Sequence, residues 1–337
     1  MPSTTKRKRR RRRTQAQKSR RWLVTTVAAL LLAAIGFVIQ NYGGQYGIPA
    51  WSDFYEVLGV PMEGPDAALL AATPTTVTFL DVGQGDAVLL GQDGQYCLID
   101  TGTSESQDTL VRDLRQANIG ELQYLVLTHP HADHTGGAMA VLENFPVDTL
   151  LLPDWQALDA DSSDWPEGMF EQAADVGTAV TVTEAGENYT LGSGTLQVLL
   201  GGNAETGKDD PNNASLCLLF EAGSFRYLAT GDAEKEVEQT LVDRYGDGLA
   251  ANLYKAGHHG SSTSSTETLL SVVRPQAAVI SCGVDNDYGH PHMDTLRRLA
   301  DAGAAIYRTD TMGTITFTYE DGVLSATTAG QTLDEAA

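Results

Sequence analysis

The sequence predicts an α/β fold, a four-layer αββα sandwich, preceded by one membrane-spanning helix. Two strand-dense stretches carry the first expectation, one over 75–152 and one over 179–328, each with helical segments among its strands. A doubly wound parallel sheet is the rival, but it would alternate strand and helix more strictly. Two sheets packed face to face with helices outside fit the pattern better. An uncharged apolar run at 22–40 carries the second expectation.

Residues 1–21 hold eleven Lys and Arg and no acid, and the nineteen residues 22–40 carry no charge. A helix of that length about crosses a ~30 Å hydrocarbon core. The basic flank then stays in the cytoplasm and places everything after residue 41 outside the cell, as a single-pass membrane protein. A cleaved signal peptide is the competing explanation. Its apolar stretch is usually shorter, and Gly36-Phe37-Val38-Ile39-Gln40 offers no small-x-small cleavage site. A nucleic-acid-binding arm is weaker still, because a basic run before a membrane segment is a topological signal that also favours anionic lipid. Residues 41–74, rich in Gly, Pro and Ala, are expected to form a linker with one short helix near 52–58.

Residues 75–330 are expected to form one domain. Short apolar runs broken by Gly and Asp predict strands at 76–81, 87–90 and 96–100. Leu110, Val111, Leu114 and Ala117 have helical spacing within 106–118. A buried strand at 123–128 enters a polar loop, and Gly136-Gly137 precede a helix over 138–144. A strand at 149–152 and a helix around 165–176 follow. The second stretch offers strands at 179–183, 190–191, 195–200, 215–221 and 226–230, then a helix at 233–245. It continues with a strand at 252–255, a helix at 264–273, a strand at 277–282 and a helix at 293–302. Strands at 305–309, 313–319 and 324–328 close the domain. Cys97, Cys217 and Cys282 lie in or at the end of apolar runs and read as buried free thiols. An odd count without Cys-x-x-Cys spacing argues against a disulfide scaffold or a thiolate zinc site.

The chemistry concentrates in Thr128-His129-Pro130-His131-Ala132-Asp133-His134-Thr135-Gly136-Gly137. His129, His131, Asp133 and His134 put four metal-capable side chains within six residues, on a loop between a strand end and a helix. Imidazole with carboxylate suits zinc, and also iron or manganese. All seven His of the chain fall in three clusters, 129/131/134, 258/259 and 290/292, where structural His would be scattered. Asp81, at a strand end, and Asp86 are placed to accept hydrogen bonds from metal-bound His, with a structural Asx turn as the alternative for either. Thr230-Gly231-Asp232 is weak alone, yet a carboxylate at a buried strand end suits a bridge between two metals. In Lys255-Ala256-Gly257-His258-His259-Gly260-Ser261 the adjacent His do not easily point the same way. One as ligand and the other as proton donor or phosphate contact is the natural division. His290, in Tyr288-Gly289-His290-Pro291-His292, is a candidate for leaving-group protonation or oxyanion contact.

Taken in order, these motifs make residues 75–328 resemble the metallo-β-lactamase-fold domain of the ComEC family, the DNA-uptake competence proteins. The run Leu80-Asp81-Val82-Gly83-Gln84-Gly85-Asp86, Leu98-Ile99-Asp100-Thr101-Gly102 and Asp210-Pro211-Asn212-Asn213-Ala214-Ser215-Leu216 are further marks of the likeness. The resemblance implies a metal-dependent hydrolase of phosphodiester or related bonds, using one or two divalent ions, zinc or manganese. Carried over residue by residue, His129 and His131 hold one metal, and Asp133 and His134 a second, with Asp232 between them. His258, or failing that His259, completes the second position. Asp133 or Asp232 orients the attacking water, and His259 and His290 stabilise the departing charge. Asp81, Asp86, Asn213 and Lys255 support the ligands from behind.

Two departures qualify the likeness. The superfamily generally takes a third His for the first metal from a loop before the bridging Asp, yet no His lies between 134 and 258; Asn212, Asn213 and Ser215 occupy that region. Full ComEC proteins also carry many membrane spans forming a channel, so this chain resembles their hydrolase domain on an anchor. Beyond residue 21, acids outnumber bases by 33, a balance that repels polyanions unless metal and a local basic patch overcome it. Three functions compete on these grounds. One is nuclease action on incoming DNA. Another is hydrolysis of small or cell-wall phosphodiesters such as teichoic-acid substituents. The third is a binding module with a degenerate metal site.

Overall fold

The first sheet grows from strands whose side chains alternate between two apolar surroundings. The computed structural model describes Thr26 and residues 35–36, 64–154, 165–201, 210–328 and 331–333. Helix Ala67–Ala72 (α1) opens the Glu63–Ala337 unit; the Asp66 carboxylate caps it, accepting from Ala68 N–H at 2.9 Å. Strands Thr75–Phe79 (β1), Val88–Gln92 (β2) and Gln95–Ile99 (β3) then form an antiparallel meander. Val77, Phe79, Val88, Leu90, Cys97 and Ile99 turn to one face, and Leu89 and Leu98 to the other, as the two-residue period of a strand requires.

From β3 the chain switches to parallel crossovers. Gln107–Gln116 (α2) leads to Leu122–Val126 (β4). The turn Ala132–Thr135 (α3) and Ala138–Asn144 (α4) lead to Val147–Leu152 (β5). Met169–Val176 (α5) leads to Ala179–Val182 (β6). The second sheet begins antiparallel with Asn188–Leu191 (β7), Gly194–Leu200 (β8), Cys217–Ala222 (β9) and Phe225–Ala229 (β10). It too becomes parallel, through Lys235–Tyr245 (α6), Leu253–Lys255 (β11), Glu267–Val273 (α7), Ala277–Ile280 (β12), Met293–Asp301 (α8) and Ala305–Arg308 (β13). After the turn Thr309–Met312 (α9), strands Ile315–Glu320 (β14), Val323–Thr328 (β15) and Gln331–Leu333 (β16) follow.

Among the described residues the strand orders are β16-β15-β14-β1-β2-β3-β4-β5-β6 and β13-β12-β11-β10-β9-β8-β7. Three apolar clusters separate the layers. One lies between the sheets, and one lies outside each sheet under its helices. This is the αββα sandwich that the strand pattern predicts.

Three details differ from the sequence expectation. The strands do not divide cleanly at 179: β6 extends the first sheet, parallel to β5. The closing strands also return to the first sheet, where β14 pairs antiparallel with β1 and sets Val77 opposite Phe317. Strand patterning reports burial, not which of two buried sheets receives the strand. The third difference is α1, inside the stretch expected to be a linker, whose Leu70 is buried with Leu80 and Leu89. The expected linker residues 41–63 lie outside the described residues. So does the expected membrane segment 22–40, apart from Thr26 and residues 35–36, which are helical. Among the described residues no helix is long and apolar enough to cross a membrane.

The parallel strands on both sides point their carboxyl ends at one edge of the sandwich. The loops after β3, β4, β10, β11 and β12 meet there, as ligand sites on α/β sheets do. Behind them Phe79 joins the sheets, its ring edge-on to Tyr227 at 5.9 Å and to Phe317 at 6.0 Å. Phe79→Ala should cost about 3–5 kcal/mol of folding stability, measured as a lowered denaturant midpoint of the full-length chain.

Candidate metal centre

One carboxylate and the backbone around it hold the His-rich loop in place. The Asp100 carboxylate accepts the Thr128 N–H and the Thr128 hydroxyl, both at 2.7 Å, tying the end of β3 to the end of β4. His131 leads into the one-turn helix α3, which carries Asp133 and His134. Asp86 N–H donates to the Asp133 carbonyl at 3.1 Å. Gly85 must be glycine here, because a Cβ would stand 2.5 Å from that same carbonyl oxygen. Gly136 is equally confined, its Cβ position lying 2.4 Å from the Ser104 nitrogen.

The hydrogen bonds then assign the imidazole protons. His134 Nδ1 lies 2.8 Å from Asp100 Oδ2, and His259 Nδ1 lies 3.0 Å from the Ser281 carbonyl. Both partners only accept, so each Nδ1 carries a hydrogen, and each Nε2 is the nitrogen turned toward the cluster, where a proton or a metal ion can sit. Those two Nε2 atoms face each other at 3.3 Å, and Asp232 Oδ2 is 3.3 Å from both. Asp133 Oδ2 adds a further acceptor 3.1 Å from His259 Nε2. Beside this group, Thr128 Oγ1 already donates to Asp100, so it accepts from His129 Nδ1 at 3.2 Å. That leaves His129 Nε2 as a lone pair 3.1 Å from His131 Nδ1.

Buried acceptors crowded this closely need a cation between them. In the bare chain a proton serves. Burial opposes charge on His134 and His259, but Asp232, with Asp100 for the first and Asp86 for the second, outweighs it and holds both well above the ordinary histidine pKa. His129, deeper and beside His134, is pushed well below it. A divalent ion bound by the same nitrogens and carboxylates would replace those protons. Asp232 Oδ1 and Asn212 Oδ1 are buried without a hydrogen-bond partner, and both residues line the same cavity of about 390 Å³. The donor set therefore fits one or two divalent ions.

The loop after β11 is held under strain. His258 (φ 50°) and His259 (φ 52°) are consecutive non-glycine residues in the left-handed region, a conformation that costs of order 1–3 kcal/mol each. The kink sends the two rings apart. His259 is buried in the cluster, while His258 stays partly exposed, with Nε2 3.8 Å from Asp232 Oδ2 and Nδ1 3.7 Å from Glu234. Two side chains brace the following turn. Buried Glu238 accepts the Ser265 and Thr266 N–H groups, and Arg298 donates to the carbonyls of Ser262, Ser264 and Ser265.

Of the residues singled out from sequence, His129, His131, Asp133, His134, Asp232 and His259 converge. His258 stands at the rim and does not complete the cluster, contrary to its expected place, because the kink turns its neighbour inward instead. Lys255 is buried against Asp86, with its ammonium 4.0 Å from Asp232 Oδ1. Asp86 Oδ1 is also 3.5 Å from His259 Nδ1, but its carboxylate is already committed to the lysine. Asp81 differs from expectation: its carboxylate accepts from Gly83 N–H at 3.1 Å in an Asx turn and lines a separate cavity with Arg112 and Thr314. Asn213 accepts from Glu234 N–H at 3.0 Å, fastening its turn to the start of α6. His290 lines the mouth; burial first, then the neighbouring His259, His292 and His258, pull its pKa down to about 4.

Sequence reasoning missed Asp100, Thr128 and Ser215 as orienting groups. Ser215 Oγ lies 3.3 Å from His129 Nδ1 and accepts from Asp232 N–H at 3.0 Å. A signal was present for Asp100 in its place between a buried strand and Thr101-Gly102. Ser215 stood in the marked run 210–216 with no role assigned to it, and nothing marked Glu238 or Arg298.

Comparison with known proteins places these residues in context. The family described as the metallo-beta-lactamase superfamily matches residues 80–284. ComE operon protein 3 of Bacillus subtilis is 31% identical, over 73% of this chain and 33% of its own length. Competence protein ComA of Neisseria gonorrhoeae is 32% identical, over 72% of this chain and 32% of its own length. The chain thus spans about a third of the length of these curated relatives. Among solved structures, CmlA, a diiron β-hydroxylase from Streptomyces venezuelae, aligns with a TM-score of 0.49 at 14% identity, covering 81% of this chain and 60% of that one.

Two outcomes test the centre. Asp100→Asn removes the acceptor that fixes the His134 tautomer and should weaken metal affinity about 10- to 100-fold, read by chelator competition. Metal added to metal-free protein near neutral pH should release protons from His134 and His259, so affinity should rise with pH. Calorimetric titration in buffers of different ionisation enthalpy measures that release directly.

Proposed function

Because the chain belongs to the metallo-β-lactamase superfamily, we propose that it is a metal-dependent phosphodiesterase, held at the outer face of the cell membrane by residues 22–40. The observation that carries the proposal is the convergence of the His129, His134 and His259 rings with the Asp133 and Asp232 carboxylates in one buried cluster. One relative is named a competence protein, which supports nucleic acid as the substrate class. The surplus of acids beyond residue 21 weighs against tight binding of a duplex and keeps small or cell-wall phosphodiesters as the second reading.

In this reading His129, His131, Asn212, Asp133, His134, Asp232 and His259 would hold one or two divalent ions, zinc or manganese. Such ions would supply Lewis acidity and a water of lowered pKa. Asp133 and Asp232 would accept hydrogen bonds from the attacking water and aim it. His258, at the rim, contacts the phosphate. His290, with a pKa held at about 4, is neutral at pH 7, so it donates an N–H hydrogen bond to the developing charge rather than giving up a proton.

The full-length chain with manganese or zinc should hydrolyse a phosphodiester and lose that activity to chelator. His131→Ala and His259→Ala should each lower kcat/KM about 100-fold or more, the several kcal/mol that a Lewis acid provides. His258→Ala should raise KM while leaving metal content intact. Activity indifferent to chelator would defeat the proposal.

A further inference from the structure

The three most exposed large apolar side chains among the described residues lie in one ten-residue stretch: Val284 at 70%, Tyr288 at 66% and Met293 at 77%. Only Tyr288 lines the cavity of the metal centre. Its ring is held. It lies parallel on His290, with centroids 5.6 Å apart and planes at 19°, and His290 lies near-parallel to His259 at 6.3 Å and 26°. The turn beneath is tied by Asn286, whose side chain accepts from His290 N–H at 3.0 Å and donates to the carbonyls of His290 and Gly283. One face of the phenol is thus packed, and the ring stays two-thirds exposed.

An aromatic ring fixed at the mouth of a site and left in water gains nothing for the fold. It does offer a planar surface one ring beyond the groups that would meet a phosphate. Among the described residues the lining of the cavity includes no Lys or Arg, and the chain beyond residue 21 is strongly acidic, so the described lining offers a polynucleotide little counterion release. Base stacking can anchor one, and it is indifferent to sequence. A base inside a duplex already stacks on its neighbours and cannot lie on Tyr288. A polyol phosphodiester has no planar group to place there.

We propose that Tyr288 is the stacking platform for an unpaired base of single-stranded nucleic acid whose adjoining phosphodiester enters the metal-centre cavity. This deepens the phosphodiesterase reading and rests on it.

The test compares a single-stranded oligonucleotide with an abasic oligomer of the same backbone, using the full-length metal-loaded chain. Wild type should prefer the base-bearing strand by about tenfold in kcat/KM, chiefly through KM. Tyr288→Ala should bring that ratio close to one, and Tyr288→Phe should keep it, since the ring and not the hydroxyl is used. A wild-type ratio near one, an unchanged ratio in Tyr288→Ala, or a Phe variant as poor as Ala overturns the proposal. A second readout needs no turnover: quenching of 2-aminopurine in a single strand bound to the metal-free chain. If neither oligomer is cleaved, the phosphodiesterase reading falls. The platform is then decided by quenching, which supports it if lost in Tyr288→Ala and overturns it if absent in wild type.

Discussion

His134 and His259 bring their Nε2 nitrogens within 3.3 Å of each other, with the Asp232 carboxylate the same distance from both. Neither ring is free to turn away. Asp100 holds His134 by its other nitrogen, and the Ser281 carbonyl holds His259. The contact joins residues 125 apart in sequence, one following a strand of each sheet. The glycines at 85 and 136, the strained pair at 258–259 and the braces from Glu238 and Arg298 all serve to keep this one close approach in place. Side chains fixed this firmly around the place a cation would take are preorganised in the sense that catalysis and tight binding both require.

The fold was largely legible because strands of two-residue alternation and helices of 3.6-residue spacing leave different marks. Helix 138–144 matches its expected span, and most strands fall within a residue or two. What escaped was sheet membership. β6 and β14 carry the same apolar pattern whichever sheet receives them, and the choice is made by tertiary packing. In the site, residue types with metal chemistry were visible, since His clusters are rare. The division of labour between His258 and His259 was not, because it turns on two left-handed backbone angles that no side-chain pattern announces. The roles of Ser215 and Arg298 were invisible for a related reason: serines and arginines are common, and only three-dimensional placement makes one a partner of the ligands and the other a brace of their loop.

The missing third imidazole is resolved chemically rather than by sequence. Where the superfamily generally supplies a nitrogen, this chain has Asn212, whose carbonyl oxygen is buried without a partner beside the cavity. An amide oxygen is a harder donor than imidazole, so an ion bound there would meet an oxygen in place of a nitrogen.

The residues that converge on the centre are divided between the two sheets. His129, His131, Asp133 and His134 follow β4 of the nine-stranded sheet, whereas Asp232 and His259 follow β10 and β11 of the seven-stranded one. An ion seated among them is a rivet across the seam of the sandwich. Its binding energy then counts toward the integrity of the whole domain. A cell short of that metal would hold not an idle enzyme but a looser one, open to proteases along the edge where the sheets meet.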